Sequence, residues 1–186
     1  MTQILVLCTA NRCRSVMAGA LLARHLVAAQ QADTVRVSSA GVLRDGLAPP
    51  AEVISVMADY GIDVTGHRSR VVTSGDLLTA DLTLAMSRDQ VRHVAVEVPA
   101  VWQRSFTLKE LVRRGGSLGP RAAAEPFASW LDRAQVGRDR MALLGESAED
   151  DIADPFGGPL TGYVATAALL DELLAGLAGL CFPDHP

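Results

Sequence analysis

The stretch Ile4-Leu5-Val6-Leu7-Cys8-Thr9-Ala10-Asn11-Arg12-Cys13-Arg14-Ser15 decides how this chain is read. Four apolar residues of strand length run into a short loop. A segment rich in Ala and Leu follows, Val16–Gln30, with Val16, Ala20, Ala23 and Val27 on one helical side. A loop between a strand and a helix amino terminus turns backbone N–H groups toward one point, where the helix dipole also favours negative charge. Arg14 adds a planar fork for two oxygens, and Cys8 lies beneath the anion. The expectation is a pocket for a tetrahedral oxyanion with a nucleophile at its floor.

A thiol with an ordinary pKa of ~8.5 is mostly protonated at neutral pH, but a helix amino terminus, an arginine and several amide donors lower that value. Cys8 is therefore expected as a thiolate placed for in-line attack on phosphorus. The loop residues Thr9, Ala10, Asn11, Arg12, Cys13 and Ser15 are expected to hold the equatorial oxygens, where charge must be stabilised in the transition state. Ser15 is placed to donate to the sulfur and Asn11 to hold the turn. This chemistry passes through a cysteinyl phosphate that water hydrolyses, and needs no cofactor and no metal. The leaving oxygen needs a proton. Asp154 is the best candidate, because Pro155 stiffens its loop and Gly157-Gly158 lets the loop bend over a site; Asp150 and Asp151 are rivals.

Outward from this loop the pattern alternates short apolar runs with helical stretches. Val35–Ser39 reads as a second strand and Asp81–Ala85 as a third, with Ala95–Val98 offered as a fourth. Pro49-Pro50 opens a helix that Gly61 stops, and another short helix starts at Ser87. Leu108–Arg113 reads as a helix cut off by Gly115-Gly116, Ala122–Gln135 as a less regular one, and Tyr163–Leu180 as the last. Ser147–Asp154 is an acidic loop. Strands alternating with helices imply an α/β layered fold around a mostly parallel sheet, with ligands beyond the carboxyl ends of the strands.

The 186 residues fit one domain, 1–186. A net charge of −4 argues against a nucleic-acid partner. No uninterrupted apolar run reaches ~18 residues, which argues against a membrane span, and Met1-Thr2-Gln3 lacks the basic start of a secretory signal. The expected compartment is the cytoplasm. Three cysteines do not make a disulfide framework; Cys181, without a titratable neighbour in sequence, reads as an inert apolar residue. There is no Gly-rich nucleotide-binding loop with a following Lys, and no metal-ligand spacing.

Cys8-Thr9-Ala10-Asn11-Arg12-Cys13-Arg14-Ser15 resembles the signature of the low-molecular-weight protein tyrosine phosphatases and their arsenate-reductase relatives. The resemblance continues in Ser39-Ala40-Gly41, Gly61-Ile62-Asp63, His67-Arg68-Ser69-Arg70 and Asp154-Pro155, in the family's order, over roughly residues 3 to 175. It implies a three-layer, flavodoxin-like sandwich with a four-stranded parallel sheet and helices on both faces. It also implies Cys8 as nucleophile, Arg14 as phosphate clamp and Asp154 as general acid, with Asn11, Ser15, Ser39 and His67 bracing the loop. On the residues alone, His67 also reads as a solvated loop histidine. Cys13 resembles the second loop cysteine, which pairs reversibly with the nucleophile on oxidation and protects it. The implied partner is a phosphotyrosine protein or a small phosphoester.

The chain departs from the family in several places. Ala10 replaces a glycine, and would be strained by ~1 kcal/mol or more if the position needs a positive φ. Val16-Met17-Ala18-Gly19 stands where many members have Pro and then Glu. Val42–Ala48 lacks an aromatic wall, and Phe156-Gly157 replaces a tyrosine pair. An extra segment, about 113–147, reads either as a lid or partner surface or as a packed peripheral helix. Two other functions use the same loop: arsenate reduction coupled to a low-molecular-weight thiol, since residues 70–100 have no further Cys for a relay, and a phosphate-sensing module without activity.

Overall fold

The computed structural model describes residues 1–43 and 46–183. Four parallel strands form one sheet: β1 (Thr2–Cys8), β2 (Val35–Gly41), β3 (Leu82–Ala85) and β4 (Ser105–Thr107), in the order β2-β1-β3-β4. β1 pairs with β2 from Thr2 opposite Val35 to Cys8 opposite Gly41, and on its other edge with β3 from Ile4 opposite Leu82. The chain leaves β1 for one side of the sheet and later returns to the other. The carboxyl end of β1 is thus the topological switch point, where such sheets bind ligands.

Among the described residues seven α-helices flank the sheet: α1 (Arg14–Ala28), α2 (Ala51–Asp59), α3 (Ser74–Thr79), α4 (Arg88–Glu97), α5 (Leu108–Leu118), α6 (Phe127–Ala134) and α7 (Leu160–Cys181). Side chains on a strand alternate between faces. Ile4, Val6 and Cys8 pack with α1, α2, α5 and α7, whereas Leu5 and Leu7 pack with Leu77 of α3 and Val94 of α4. α7 is long and apolar enough to cross a membrane by length and composition. In this fold Tyr163, Leu170, Leu174 and Leu177 are buried beside α1 and α5. Gly61 ends α2 at φ +72, with Ile62 N–H donating to Met57 O, a conformation that favours glycine.

Two expectations fail, each for a physical reason. Ala95–Val98 is not a strand: residues through Glu97 belong to α4, where Val91 and Val94 are buried and Val96 is 77% exposed, and the buried Val98 caps its end. The fourth strand is Ser105-Phe106-Thr107, too short and too polar to stand out. Gly115-Gly116 does not cut α5, which runs on to Leu118. A Cβ at Gly115 would lie 3.0 Å from both Trp130 and Leu180, so this glycine lets α6 and α7 pack closely on α5. Within the extra segment Trp130 is fully buried and its Nε1–H donates to Gly119 O. Arg138, itself buried, stacks on Trp102 and Phe106 and pairs with Glu110 at 2.7 Å.

Candidate active site

The loop after β1 carries its strain at Asn11. This residue has φ +52, in the left-handed region that asparagine tolerates better than most side chains. Ala10 is not among the positive-φ residues, so the strain expected of its Cβ does not arise. Asn11 is fully buried and uses its whole amide. Nδ2 donates to Ser15 Oγ and Ser39 Oγ, both at 2.9 Å, and Oδ1 accepts from Arg70 N–H at 3.1 Å. Its carbonyl accepts from His67 Nε2 at 2.9 Å, which fixes the proton on that ring nitrogen. Gly41 lies directly under the turn: a Cβ there would come within 2.8 Å of Ala10 C and Asn11 N. The Ser39-Ala40-Gly41 and His67–Arg70 segments are therefore the floor on which the loop is built.

Cys8 Sγ accepts from Asn11 N–H at 3.2 Å and lies 3.0 Å from Ser15 Oγ. Because Ser15 Oγ already accepts from Asn11, its own proton is available to the sulfur. Both contacts supply donors to Cys8. Cys13 is different: burial first, then the neighbouring Asp154 and Cys8, push its thiol up to about 12, so it stays protonated. Both are free thiols, as is Cys181, whose burial also raises its pKa.

Arg14 opens α1 and is buried. Its Nη1 donates to Ile152 O at 3.0 Å, and its Nη2 to Thr9 Oγ1 at 3.2 Å and Asp154 Oδ2 at 2.6 Å. Its Nε has no partner among the described residues, an orphan donor of the kind that an incoming oxyanion satisfies. The loop and acid segment, 140 residues apart in sequence, meet here. Cys8, Thr9, Ala10, Arg12, Cys13, Asp154 and Phe156 line one cavity of ≈ 250 Å³. Asp150 and Asp151 do not line it. Burial pushes the Asp150 carboxyl up, but hydrogen bonds from Arg113 and Arg88 outweigh it and hold the group below its ordinary range. Asp151 accepts from Arg88 N–H at 2.7 Å and Ser147 N–H at 2.9 Å. Both are anchors of the acid segment, as are Lys109, which donates to Asp151 O, and Ile152, whose N–H donates to Met86 O.

Sequence reading missed these anchors and Gln90. Gln90 is buried; its Oε1 accepts from Met86 and Ser87 N–H, and its Nε2 donates to Thr9 Oγ1 at 3.3 Å. The spacing Ser87-Arg88-Asp89-Gln90 is a capping-box pattern that pointed to it. The Val42–Ala48 segment lies inside the described residues except at 44 and 45. Among the described residues no group of three or more His, Cys, Asp or Glu side chains is arranged to hold a metal.

A family model described as low molecular weight phosphotyrosine protein phosphatase matches residues 3–119. A probable low molecular weight protein-tyrosine-phosphatase of Ralstonia nicotianae, EpsP, is 37% identical over 147 residues, 76% of this chain and 97% of the relative. A protein-arginine-phosphatase of Bacillus subtilis is 31% identical over 177 residues, 94% of this chain and 93% of the relative. The crystal structure of a low molecular weight protein tyrosine phosphatase from T. tengcongensis superposes with a TM-score of 0.71 at 28% identity, covering 95% of this chain and 97% of that one.

Proposed function

This chain belongs to the low molecular weight phosphotyrosine protein phosphatase family, and we propose that it hydrolyses phosphotyrosine in proteins through a phosphocysteine on Cys8. The observation that carries this reading is the meeting of Cys8 and Asp154 at one small cavity, with Arg14 hydrogen-bonded to two of its lining residues, Thr9 and Asp154. Cys8 Sγ attacks phosphorus in line, forming S–P as the ester P–O bond breaks. Asp154 gives its proton to the departing phenolic oxygen. Arg14 and the loop amides hold the three equatorial oxygens. A water then attacks phosphorus, Asp154 takes up its proton, and the thiolate leaves with inorganic phosphate released. No step calls for a metal or cofactor. Three free cysteines fit a reducing compartment, the cytoplasm.

Two features favour a phenolic over a guanidino leaving group. Phe156 offers a ring at the cavity mouth, and Arg12 places a cation there that opposes the positive charge of a phosphorylated arginine. The second reading, arginine dephosphorylation, rests on the relative of that activity that spans 93% of its own length. Steady-state hydrolysis of matched phosphotyrosyl and phosphoarginyl peptides tests the choice. A higher kcat/KM on phosphotyrosine supports the proposal; a higher value on phosphoarginine overturns it. Arsenate reduction would instead consume a low-molecular-weight thiol in proportion to arsenate.

A further inference from the structure

Arg12 is held at the cavity mouth from two sides. Its Nε donates to Ala48 O at 2.8 Å, and its guanidinium lies 5.3 Å from the centre of the Phe156 ring. One contact ties it to the segment after β2, the other to the acid loop. Neither of its Nη groups has an acceptor, and no carboxylate lies within ion-pair distance of it, among the described residues. The side chain is only half-buried, so its free N–H groups can be reached from solvent. An arginine normally gives up considerable rotamer freedom to bind an anion; here that ordering has already occurred.

Among the described residues, the charges within the cavity leave this cation unmatched during turnover. Arg14, the loop amides and the start of α1 serve the phosphate. Asp154, the one carboxylate among the described residues that line the cavity, must carry a proton to act as an acid. Arg12 is then a fixed positive charge at the mouth, beyond the group that reacts. A second anion on the substrate, close to the phosphotyrosine, would complete it with up to two charge-assisted hydrogen bonds.

We propose that Arg12 is a specificity-determining residue that selects phosphotyrosines with an anionic side chain beside them in the substrate protein. This rests on the phosphatase reading and goes beyond it by naming what surrounds the reacting group. The shared chemistry is an oxyanion, either the carboxylate of Asp or Glu or a second phosphate on a neighbouring residue.

The test compares kcat/KM on phosphotyrosyl peptides that differ only at the flanking positions: glutamine, glutamate, or phosphoserine. Wild type is expected to favour the anionic peptides by roughly threefold to tenfold, the range of a preorganised rim ion pair. Arg12→Gln should bring the ratio to about one, and Arg12→Lys, which keeps the charge but not the fork, should retain part of it. A glutamate peptide as good as the phosphoserine peptide assigns the site to carboxylates; a phosphoserine preference alone assigns it to clustered phosphorylation. The wild-type ratio should also shrink as salt rises from about 0.02 to 0.5 M, a readout that needs no variant. An equal ratio in wild type and Arg12→Gln, or a wild-type ratio insensitive to salt, overturns the proposal. Turnover of p-nitrophenyl phosphate by wild type without any anionic preference removes this inference and leaves the phosphatase reading standing; no turnover of any ester removes both.

Discussion

Asp154 Oδ2 accepts a hydrogen bond from Arg14 Nη2 at 2.6 Å, so the proposed general acid occupies the proposed phosphate clamp. A substrate phosphate that takes both the free Nε and the Nη2 of Arg14 displaces Asp154 from Nη2. Substrate phosphate and the Asp154 carboxylate compete for one guanidinium. The ion pair therefore places the acid beside the reacting group before substrate arrives, at the cost of one interaction exchanged on binding.

That exchange gives a prediction with two readouts. Asp154→Asn is expected to lower kcat by about 10²–10⁴-fold, with a greater loss on phenyl phosphate than on p-nitrophenyl phosphate, whose leaving group needs less help from a proton. Asp154→Ala, which removes the competitor altogether, should bind inorganic phosphate more tightly than wild type. Weaker phosphate inhibition in Asp154→Ala would show that the carboxylate does not compete for Arg14.

Asn11 holds the loop in two separable ways, by backbone conformation and by its amide. Asn11→Gly keeps the left-handed backbone and loses three side-chain hydrogen bonds, each worth about 1 kcal/mol. Asn11→Ala loses the same bonds and adds the strain of a Cβ at φ +52. Asn11→Gly should therefore be the more stable of the two in thermal melts, with both well below wild type in kcat/KM. Equal melting temperatures would mean that the backbone strain is not felt.

Gly41 and Ala10 are predicted to respond in opposite ways. Gly41→Ala forces a Cβ to within 2.8 Å of Ala10 C and Asn11 N, both backbone atoms, so the loop must shift. Activity should fall by at least about tenfold, since small displacements of a preorganised oxyanion site are costly. Ala10→Gly, at a position outside the left-handed region, should change kcat/KM by no more than about twofold. A large gain in activity from Ala10→Gly would mean that the methyl group does obstruct the anion.

Asp150 anchors the acid segment through Arg88 at 2.7 Å and Arg113 at 2.8 Å, with its side chain only 6% exposed. Asp150→Asn leaves Arg88 without its counter-charge and Arg113 with only Glu149, at 3.4 Å, and should cost about 2 kcal/mol of stability at neutral pH. The Asp150 carboxyl titrates below its unfolded value of ~4, so its stabilisation is complete above that value. It is lost as pH falls through the lower folded value, because the folded state resists taking the proton that the unfolded state accepts. Wild type should lose thermal stability between about pH 4 and the lower folded value, and Asp150→Asn should show a shallower decline there. Parallel declines would assign the acid sensitivity to other carboxylates.

Much of this arrangement is legible in the sequence, and the legible parts share a cause. The Cys8–Ser15 loop, the Ser39–Gly41 segment and the His67–Arg70 segment are local and need unusual backbone or dense hydrogen bonding, which few residue types provide. β4 is hidden because three residues carry no periodicity, and Ala95-Val96-Glu97-Val98 mimics a strand while the buried Val91, Val94 and Val98 lie at helical spacing. Gly115 reads as a helix stop because only the packing of Trp130 and Leu180 against it shows why a glycine stands there. The anchors Gln90, Arg88 and Arg113 escape a sequence reading for the opposite reason. Each is an ordinary polar residue on a helix, and only the fold brings Arg88 and Arg113 to the acid segment and Gln90 to Thr9.

The central claim, covalent catalysis on Cys8, is tested most directly by trapping the intermediate. Wild-type protein mixed with excess p-nitrophenyl phosphate, acid-quenched within the first turnovers and analysed by peptide mass spectrometry, should carry one phosphoryl group on the peptide containing Cys8. Cys8→Ser should show no turnover. Turnover of the ester with no phosphoryl group on Cys8, or steady turnover by Cys8→Ser, would contradict the account.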